Sequence, residues 1–256
     1  MSESVVLLEK ADNIAVVTLN RPEKLNALNR DLRREFCRTM QQLRTDREVG
    51  CVIITGAGRA FCAGLDLKEL SNDSLREQSN VNFVSVIEDM DVPVIAAVNG
   101  FAVTGGFELA LACDMMIAAD TAQFADTHAR VGVMPGGGMT ARLPRAVGIR
   151  KARELSLTGN YLSAADAERM GLVNRVVPRD QLMKTARELA GQILSSDQMI
   201  VRNLKRLYDL SSHATLGDAL RIEQDFFQAY RQRGHLQNMD ERREAVMSRG
   251  RSQVKS

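Results

Sequence analysis

Glu108 is the first residue whose surroundings suggest chemistry. It follows Gly105 and Gly106 in a segment that is otherwise apolar, NGFAVTGGFELA at residues 99–110. A glycine turn that leads into a helix presents free backbone N–H groups, and an unpaired acid in an apolar helix is costly unless something uses it. The segment therefore predicts a general acid or base beside N–H donors. The structural alternative is an acid that stabilises the helix N-terminus.

His128 is the second candidate. It lies in the segment FADTHARVG at residues 124–132, where Asp126 and Arg130 are its polar neighbours. Histidine exchanges protons readily near neutral pH, so His128 could position a water molecule or share proton transfer with an acid. The structural alternative is an imidazole that Asp126 or Arg130 holds in a turn.

Alternating strand and helix patterns surround both segments. The predicted strands lie at 14–20, 51–56, 94–98 and 115–118, and the predicted helices lie at 30–47, 74–90 and 105–113. This alternation indicates crossover connections and an α/β fold. The glycine turns at 55–67 and 99–110 would both follow buried strands, where ligands usually bind, and their N–H groups could form an oxyanion hole.

The pattern changes after about residue 148. Helical periodicity dominates there, interrupted by a strand-like segment at 172–177 and preceded by a capping box that begins at Ser163. We predict a core at residues 1–195 and a helical region at 196–256. The apolar stripes of the helical region would pack on the core or on another subunit.

The composition and motifs argue against several classes of function. The net charge of +2 over 256 residues gives no electrostatic footprint for nucleic acid or an anionic membrane. No apolar run is long enough to span a bilayer, and the scattered cysteines suggest a cytoplasmic protein without a metal site. Phe61 stands where a dinucleotide fingerprint that starts at Gly56 and Gly58 would need its third glycine.

Several specific motifs follow one another along the chain: NRPEKLNAL at 20–28, FCAGLDLKEL at 61–70, PVIAAVNGFAVTGGFELALACD at 93–114, PGGG at 135–138 and LTGNYLSAADAERMGLVNRVV at 157–177. In this order they resemble the crotonase superfamily, the enoyl-CoA hydratase/isomerase family. The resemblance implies a crotonase-like spiral of ββα units with a C-terminal helical region. It also implies an acyl-CoA thioester substrate, no cofactor besides the coenzyme A of that substrate, and a homotrimer or a dimer of trimers.

The resemblance also assigns roles to single residues. The N–H groups of Ala63 and Gly105 correspond to an oxyanion hole for the thioester carbonyl, and Glu108 corresponds to the first catalytic glutamate of the hydratases. His128 stands where those enzymes have their second glutamate. The residues that correspond to the substrate-binding and CoA-binding loops are Glu23, Lys24, Leu25, Ala27, Ala63, Gly64, Leu65, Asp66, Gly105 and Gly106.

The expected activity is that of an enoyl-CoA hydratase, which adds water across the C2=C3 double bond of a 2-enoyl-CoA to give a 3-hydroxyacyl-CoA. Because His128 replaces the second glutamate, a Δ3,Δ2-enoyl-CoA isomerase or another single-acid acyl-CoA enzyme is the alternative. A non-catalytic acyl-CoA binder is the third hypothesis. No motif encodes the acyl chain length or the pathway, and the group that would hold the 3′-phosphate of coenzyme A stays open, with Arg249 or Arg251 as candidates.

Overall fold

The computed structural model describes residues 4–70, 82–232 and 239–254. The strands are β1 Val6–Ala11, β2 Ile14–Leu19, β3 Cys51–Gly56, β4 Ala60–Cys62, β5 Val94–Val98, β6 Phe101–Val103, β7 Met115–Ala119, β8 Gln123–Ala125, β9 Leu162–Ser163 and β10 Arg175–Val177. The α-helices are α1 Arg30–Thr45, α2 Leu67–Leu70, α3 Ser85–Glu88, α4 Gly105–Ala112, α5 His128–Val131, α6 Met139–Val147, α7 Ile149–Thr158, α8 Ala164–Arg169, α9 Leu182–Leu194, α10 Gln198–Ser211, α11 Leu216–Gln232 and α12 Met239–Val254. Short 3₁₀ helices lie at Pro22–Lys24 and Arg179–Gln181.

The strands form two sheets, and the chain passes from one sheet to the other in a repeating pattern. One sheet has the order β1-β2-β3-β5-β7-β10 and the other has the order β4-β6-β8-β9. Three successive pairs, β3–β4, β5–β6 and β7–β8, each place their first strand in the large sheet and their second in the small sheet. Equivalent strands pair in parallel. The chain therefore winds as a spiral of strand–strand–helix turns, which confirms the predicted fold class.

The large sheet is buried on both faces, as β3 illustrates. Val52 and Ile54 belong to the main hydrophobic core, whereas Cys51 and Ile53 pack in a second cluster with the buried face of α9. Successive side chains of a strand point to opposite faces. A parallel strand that is covered on both faces therefore has a continuous apolar run in its sequence. This run is why β3 could be predicted from the sequence.

Several predicted elements have the bounds that the sequence indicated. The strands at 51–56 and 94–98 are found as predicted, and the helix predicted at 30–47 ends at Thr45. The capping box is confirmed, since the Ser163 Oγ accepts a 3.1 Å hydrogen bond from the Asp166 N–H. The predicted helix at 74–90 lies partly outside the described residues. Only residues 175–177 of the segment predicted at 172–177 form a strand.

The chain divides into two compact units, residues 1–202 and 203–256. This boundary lies within α10, a few residues beyond the predicted one at 195. The second unit contains the remainder of α10 together with α11 and α12, and within it the Arg206 guanidinium lies 5.8 Å from the centre of the Phe226 ring. No helix in the described ranges is long and apolar enough to cross a membrane.

Asn26 ties the loop before α1 to the turn between β3 and β4. It is fully buried. Its Nδ2 donates to the carbonyl oxygens of Ala57 at 2.9 Å, Ala60 at 2.8 Å and Phe61 at 3.2 Å, and its Oδ1 accepts from the Arg21 N–H at 2.8 Å. One side chain therefore satisfies several buried backbone groups of two loops.

Replacement of Asn26 by Ala should lower the free energy of unfolding by about 2–4 kcal/mol, because buried carbonyls lose their donor. Asn29→Ala is the matched control. Asn29 caps the N-terminus of α1 by accepting from the Leu32 N–H at 2.9 Å, and its loss should cost only about 1 kcal/mol. Urea denaturation followed by circular dichroism measures both values, and equal losses would contradict the role given to Asn26.

Candidate active site

The Glu108 carboxylate is buried and its two oxygens have different surroundings. The side chain belongs to α4 and the residue is 3 % exposed. Its Oε1 accepts hydrogen bonds from the N–H of Gly137 at 2.8 Å and of Met139 at 3.2 Å. Its Oε2 lies 4.0 Å from the Nε2 of His128. One oxygen is therefore held by the backbone, and the other is available to a reactant.

Burial raises the pKa of Glu108, because an ionised carboxylate is poorly solvated there. The hydrogen bonds from Met139 and Gly137 lower it, as would a positive charge on His128, whereas the negative charge of Asp126 raises it, and the net change is upward. A carboxyl group whose pKa lies closer to neutral can both accept and return a proton at physiological pH. This property suits Glu108 to the general acid–base role that the sequence predicted.

His128 is paired with Asp126 and not with Arg130. The Nδ1 of His128 lies 2.6 Å from the Asp126 Oδ1, which also accepts from the His128 backbone N–H at 3.2 Å. Arg130 instead donates from Nε to the Thr158 carbonyl at 2.6 Å. Of the two structural partners that the sequence left open for His128, Asp126 is therefore the one that contacts the imidazole.

The pKa of Asp126 lies below its ordinary value. Burial by itself would raise this pKa, but hydrogen bonds from the side chains of His128 and Ser156 and from the His128 N–H outweigh burial. Asp126 is consequently ionised at neutral pH. An ionised carboxylate accepts hydrogen bonds and donates none, so the Nδ1 of His128 carries a proton.

Neighbouring parallel strands explain why these side chains meet. Val103 at the end of β6 pairs in register with Ala125 at the end of β8, and the Thr104 N–H continues the ladder by donating to the Ala125 carbonyl at 2.8 Å. The helices α4 and α5 begin just beyond these positions. Glu108 and His128 are thus delivered to the same carboxyl edge of the small sheet, whereas the sequence predicted a site directly after the buried strands 51–56 and 94–98 of the large sheet.

Thr104 links the two helix starts and has a strained backbone. Its φ of 52° and ψ of −111° fall in a region that side chains other than glycine rarely adopt, at a cost of about 1–3 kcal/mol. Its Oγ1 lies 2.6 Å from the Thr127 Oγ1 and accepts from the Thr127 N–H at 3.3 Å. These bonds tie the residue before Gly105 to the residue before His128, and no sequence signal indicated them.

The backbone donors of the proposed oxyanion hole differ in one position from the expected pair. The Ala63 N–H donates to the Leu25 carbonyl at 3.0 Å, so it is already engaged within the chain. The N–H groups of Leu65 and Gly105 have no acceptor among the described residues. The expectation that Ala63 supplies a donor therefore does not agree with the structure, whereas the Gly105 N–H is available.

The pairing of residues 25–28 with residues 63–66 accounts for this difference. The Leu28 N–H donates to the Gly64 carbonyl at 2.8 Å, and the Leu28 carbonyl accepts from the Asp66 N–H at 3.3 Å. In such a parallel bridge the N–H of the intervening residue, Leu65, points away from Leu28. Gly64 also lies against the start of α4, since a Cβ added there would lie 3.4 Å from the Gly105 nitrogen.

The two loops that the resemblance assigned to coenzyme A lie side by side. Glu23 and Lys24 are in the 3₁₀ helix Pro22–Lys24, and residues 25–28 then pair with residues 63–66 as described. The Arg21 Nη1 lies 3.2 Å from the Asp66 Oδ2 and reinforces the junction of the two loops.

Gly106 has a packing role, because a Cβ there would lie 2.1 Å from the Cys62 carbonyl oxygen.

These features define an enzyme site for proton transfer. A buried carboxylate and an imidazole lie 4.0 Å apart at the carboxyl edge of parallel strands, and the N–H groups of Leu65 and Gly105 have no acceptor within the part of the chain that the structure describes. No three His, Cys, Asp or Glu side chains in the described part of the chain are grouped as metal ligands would be.

Residues 9–248 match the sequence model of the family described as enoyl-CoA hydratase/isomerase, and the chain belongs to this family. A curated crotonyl-CoA hydratase from Syntrophomonas wolfei is 40% identical over 89% of this chain and 90% of its own length. The crystal structure of an enoyl-CoA hydratase from Bacillus anthracis has a TM-score of 0.85 at 35% identity, and covers 96% of each chain. A monofunctional enoyl-CoA isomerase from M. smegmatis has a TM-score of 0.74 at 37% identity, over 85% of this chain and 98% of its own. The fold is therefore the crotonase fold.

Proposed function

We propose that this protein is an enoyl-CoA hydratase that adds water across the C2=C3 double bond of a 2-enoyl-CoA to give a 3-hydroxyacyl-CoA. The observation that carries the proposal is the 4.0 Å separation between the Glu108 Oε2 and the His128 Nε2. A water molecule can bond to both atoms at about 2.8 Å with an angle of about 90° between the two hydrogen bonds. Both of its protons then have acceptors, and its lone pair is free to attack C3.

The thioester carbonyl is the group that the backbone donors would bind. We assign this role to the N–H groups of Leu65 and Gly105, which lack acceptors among the described residues. Negative charge develops on the carbonyl oxygen when water adds at C3, and each such donor is typically worth about 10² to 10³ in rate. The donors also polarise the conjugated double bond before attack.

Glu108 carries the proton through the reaction. As the water oxygen bonds to C3, the Glu108 Oε2 takes one water proton and the C2=C3 electron pair moves toward the thioester oxygen. Glu108 then returns that proton to C2, and the electron pair moves back to form the new C–H bond. His128 accepts a hydrogen bond from the second water proton, which stays on the product hydroxyl.

One observation favours isomerisation as a second activity of the same site. Glu108 is the carboxylate that faces the reactant, since Asp126 is engaged by His128. A single carboxyl group can remove a proton from C2 of a 3-enoyl-CoA and return it at C4, and the similarity to the M. smegmatis isomerase agrees with this chemistry. The presence of Glu108 and of two N–H donors without an acceptor among the described residues argues against a non-catalytic acyl-CoA binder.

The proposal also covers cofactor use, metabolic role, location and assembly. The protein uses no cofactor besides the coenzyme A of its substrate, acts in fatty-acid or related acyl-CoA metabolism, and is cytoplasmic. It assembles as a homotrimer or a dimer of trimers. The apolar side chains of Leu220, Phe227 and Val246, which are exposed in the single chain, support assembly.

The test measures two conversions with the wild type and His128→Ala. The wild type should remove the conjugated-thioester absorbance of crotonyl-CoA by hydration. His128→Ala should lower this rate about 10- to 100-fold, because the water loses one acceptor, and it should reduce any conversion of 3-enoyl-CoA to 2-enoyl-CoA much less. His128→Glu, which supplies a second carboxylate acceptor, should restore part of the rate. A wild type that isomerises 3-enoyl-CoA but hydrates no 2-enoyl-CoA would overturn the hydratase proposal.

A further inference from the structure

We propose that Asp126 is a positioning residue of the reaction: it holds a proton on the Nδ1 of His128, so that the unprotonated Nε2 faces Glu108 and the water between them. The effect of Asp126 on the reaction rate rests on the proposed function. The position of the proton on His128 rests on the geometry of three buried side chains.

The contacts of the imidazole are unequal on its two sides. Asp126 is 2 % exposed and His128 is 6 % exposed, so solvent competes little for either group. The Nδ1 side has a 2.6 Å contact to Asp126, whereas the Nε2 side has a 4.0 Å separation from Glu108. When the ring carries a single proton, the short contact to the Asp126 carboxylate places that proton on Nδ1, and Nε2 then keeps its lone pair.

Asp126 is itself fixed from two directions. Its Oδ1 accepts from the His128 backbone N–H at 3.2 Å, which closes a local turn, and its carboxylate also accepts from the Ser156 side chain of α7. A carboxylate with these donors cannot rotate away from the imidazole without breaking them. It therefore defines the ring orientation as well as the position of the proton.

The tautomer matters because the water has two protons to place. An unprotonated Nε2 accepts one of them and leaves the second for Glu108. An Nε2–H would instead donate to one of the two lone pairs of the water oxygen, and the second water proton would lose its acceptor. The titratable side chains that contact the imidazole in the described part of the chain are Asp126 and Glu108, and both are carboxyl groups.

The kinetic test is a double-mutant cycle between Asp126→Asn and His128→Ala, measured as kcat and KM for crotonyl-CoA. An asparagine has the shape of aspartate but can accept or donate, so it does not select one tautomer. Asp126→Asn should lower kcat about 10- to 100-fold with little change in KM, a loss of the size seen when the carboxylate partner of a metal-ligating histidine is removed. In the His128→Ala background the same change should have no further effect. Asp166→Asn, at the surface capping box, is the matched control and should keep the wild-type kcat.

The structural test does not depend on activity. The ¹⁵N chemical shifts of the imidazole nitrogens distinguish Nδ1–H from Nε2–H, and with three histidines in the chain the His128 signals can be assigned by their loss in His128→Ala. The wild type should show Nδ1–H, and Asp126→Asn should show a mixture or Nε2–H. A wild-type Nε2–H signal, or an equal loss of kcat from Asp126→Asn in both backgrounds, would overturn the inference. Absence of hydration in the wild type would instead overturn the proposed function, and the tautomer measurement would still decide the role of Asp126.

Discussion

Replacement of Glu108 by Gln should reduce kcat for hydration of crotonyl-CoA about 10³-fold, with a much smaller change in KM. Glutamine keeps an oxygen that can accept from the N–H groups of Gly137 and Met139, so the side chain can stay in place. It cannot take the water proton or deliver one to C2. The loss therefore isolates proton transfer from substrate binding.

The same variant should be more stable than the wild type at neutral pH. Burial raises the pKa of Glu108 above its ordinary value of 4.5, so its contribution to stability is fully present below that value and is lost as pH rises through the higher folded-state pKa. Above that range the wild type holds a poorly solvated charge that glutamine lacks. The melting temperature of Glu108→Gln should exceed that of the wild type at pH 8, and the difference should shrink toward pH 5.

The contribution of Asp126 to stability changes with pH in the opposite direction, so Asp126 provides the control. Its hydrogen bonds lower its pKa below the ordinary value of 3.8, so its contribution to stability is present above that value and is lost only as pH falls through the lower folded-state pKa. Asp126→Asn should therefore be less stable than the wild type at pH 8, where Glu108→Gln is more stable. If Glu108→Gln retains more than a tenth of wild-type kcat, or melts below the wild type throughout this range, the role assigned to its carboxylate does not hold.

The sequence predicted the long buried strands better than the short ones. β3 and β5 are six and five residues long, are mostly apolar and end at or near a glycine, so their composition indicates strands without tertiary information. β4, β6 and β8 have three residues each, too few for a periodic pattern. Those short strands form because the spiral places them beside one another, which is information that no single segment contains.

In the site, the sequence predicted the candidate side chains but not the backbone contacts around them. Glu108 and His128 could be singled out because their residue types are unusual in their segments. Whether the Ala63 or the Leu65 N–H is left without an acceptor among the described residues depends on how residues 63–66 pair with Leu25 and Leu28. The register of this pairing cannot be predicted from the sequence of either loop. The contact of Glu108 with the Gly137 N–H likewise depends on a turn that lies 29 residues away.

That turn supports the second large prediction, that Gly137→Ala should reduce kcat about 100-fold. A Cβ on Gly137 would lie 2.6 Å from the Glu108 Oε2 and 2.9 Å from the Val84 Cγ2. The Oε2 is the oxygen that faces His128, so the new methyl group must displace the atom that carries the proton. Misplacement of a reacting group by about 1 Å can cost about 10² in rate.

Gly136→Ala separates this steric effect from any general effect on the turn. A Cβ on Gly136 would meet no atom within 4 Å, and neither glycine has a φ in the left-handed region, so alanine is compatible with the backbone at both positions. Gly136→Ala should keep wild-type kcat and stability, whereas Gly137→Ala should lose activity and about 1–3 kcal/mol of stability through overpacking. Steady-state kinetics and urea denaturation of the two variants measure both quantities. Equal behaviour of the neighbouring substitutions would mean that the turn, and not the position of the Glu108 oxygen, controls the rate. A loss confined to Gly137→Ala would show that the site depends on a carboxylate held within a fraction of an ångström, because that methyl group changes no charge and removes no hydrogen-bond donor.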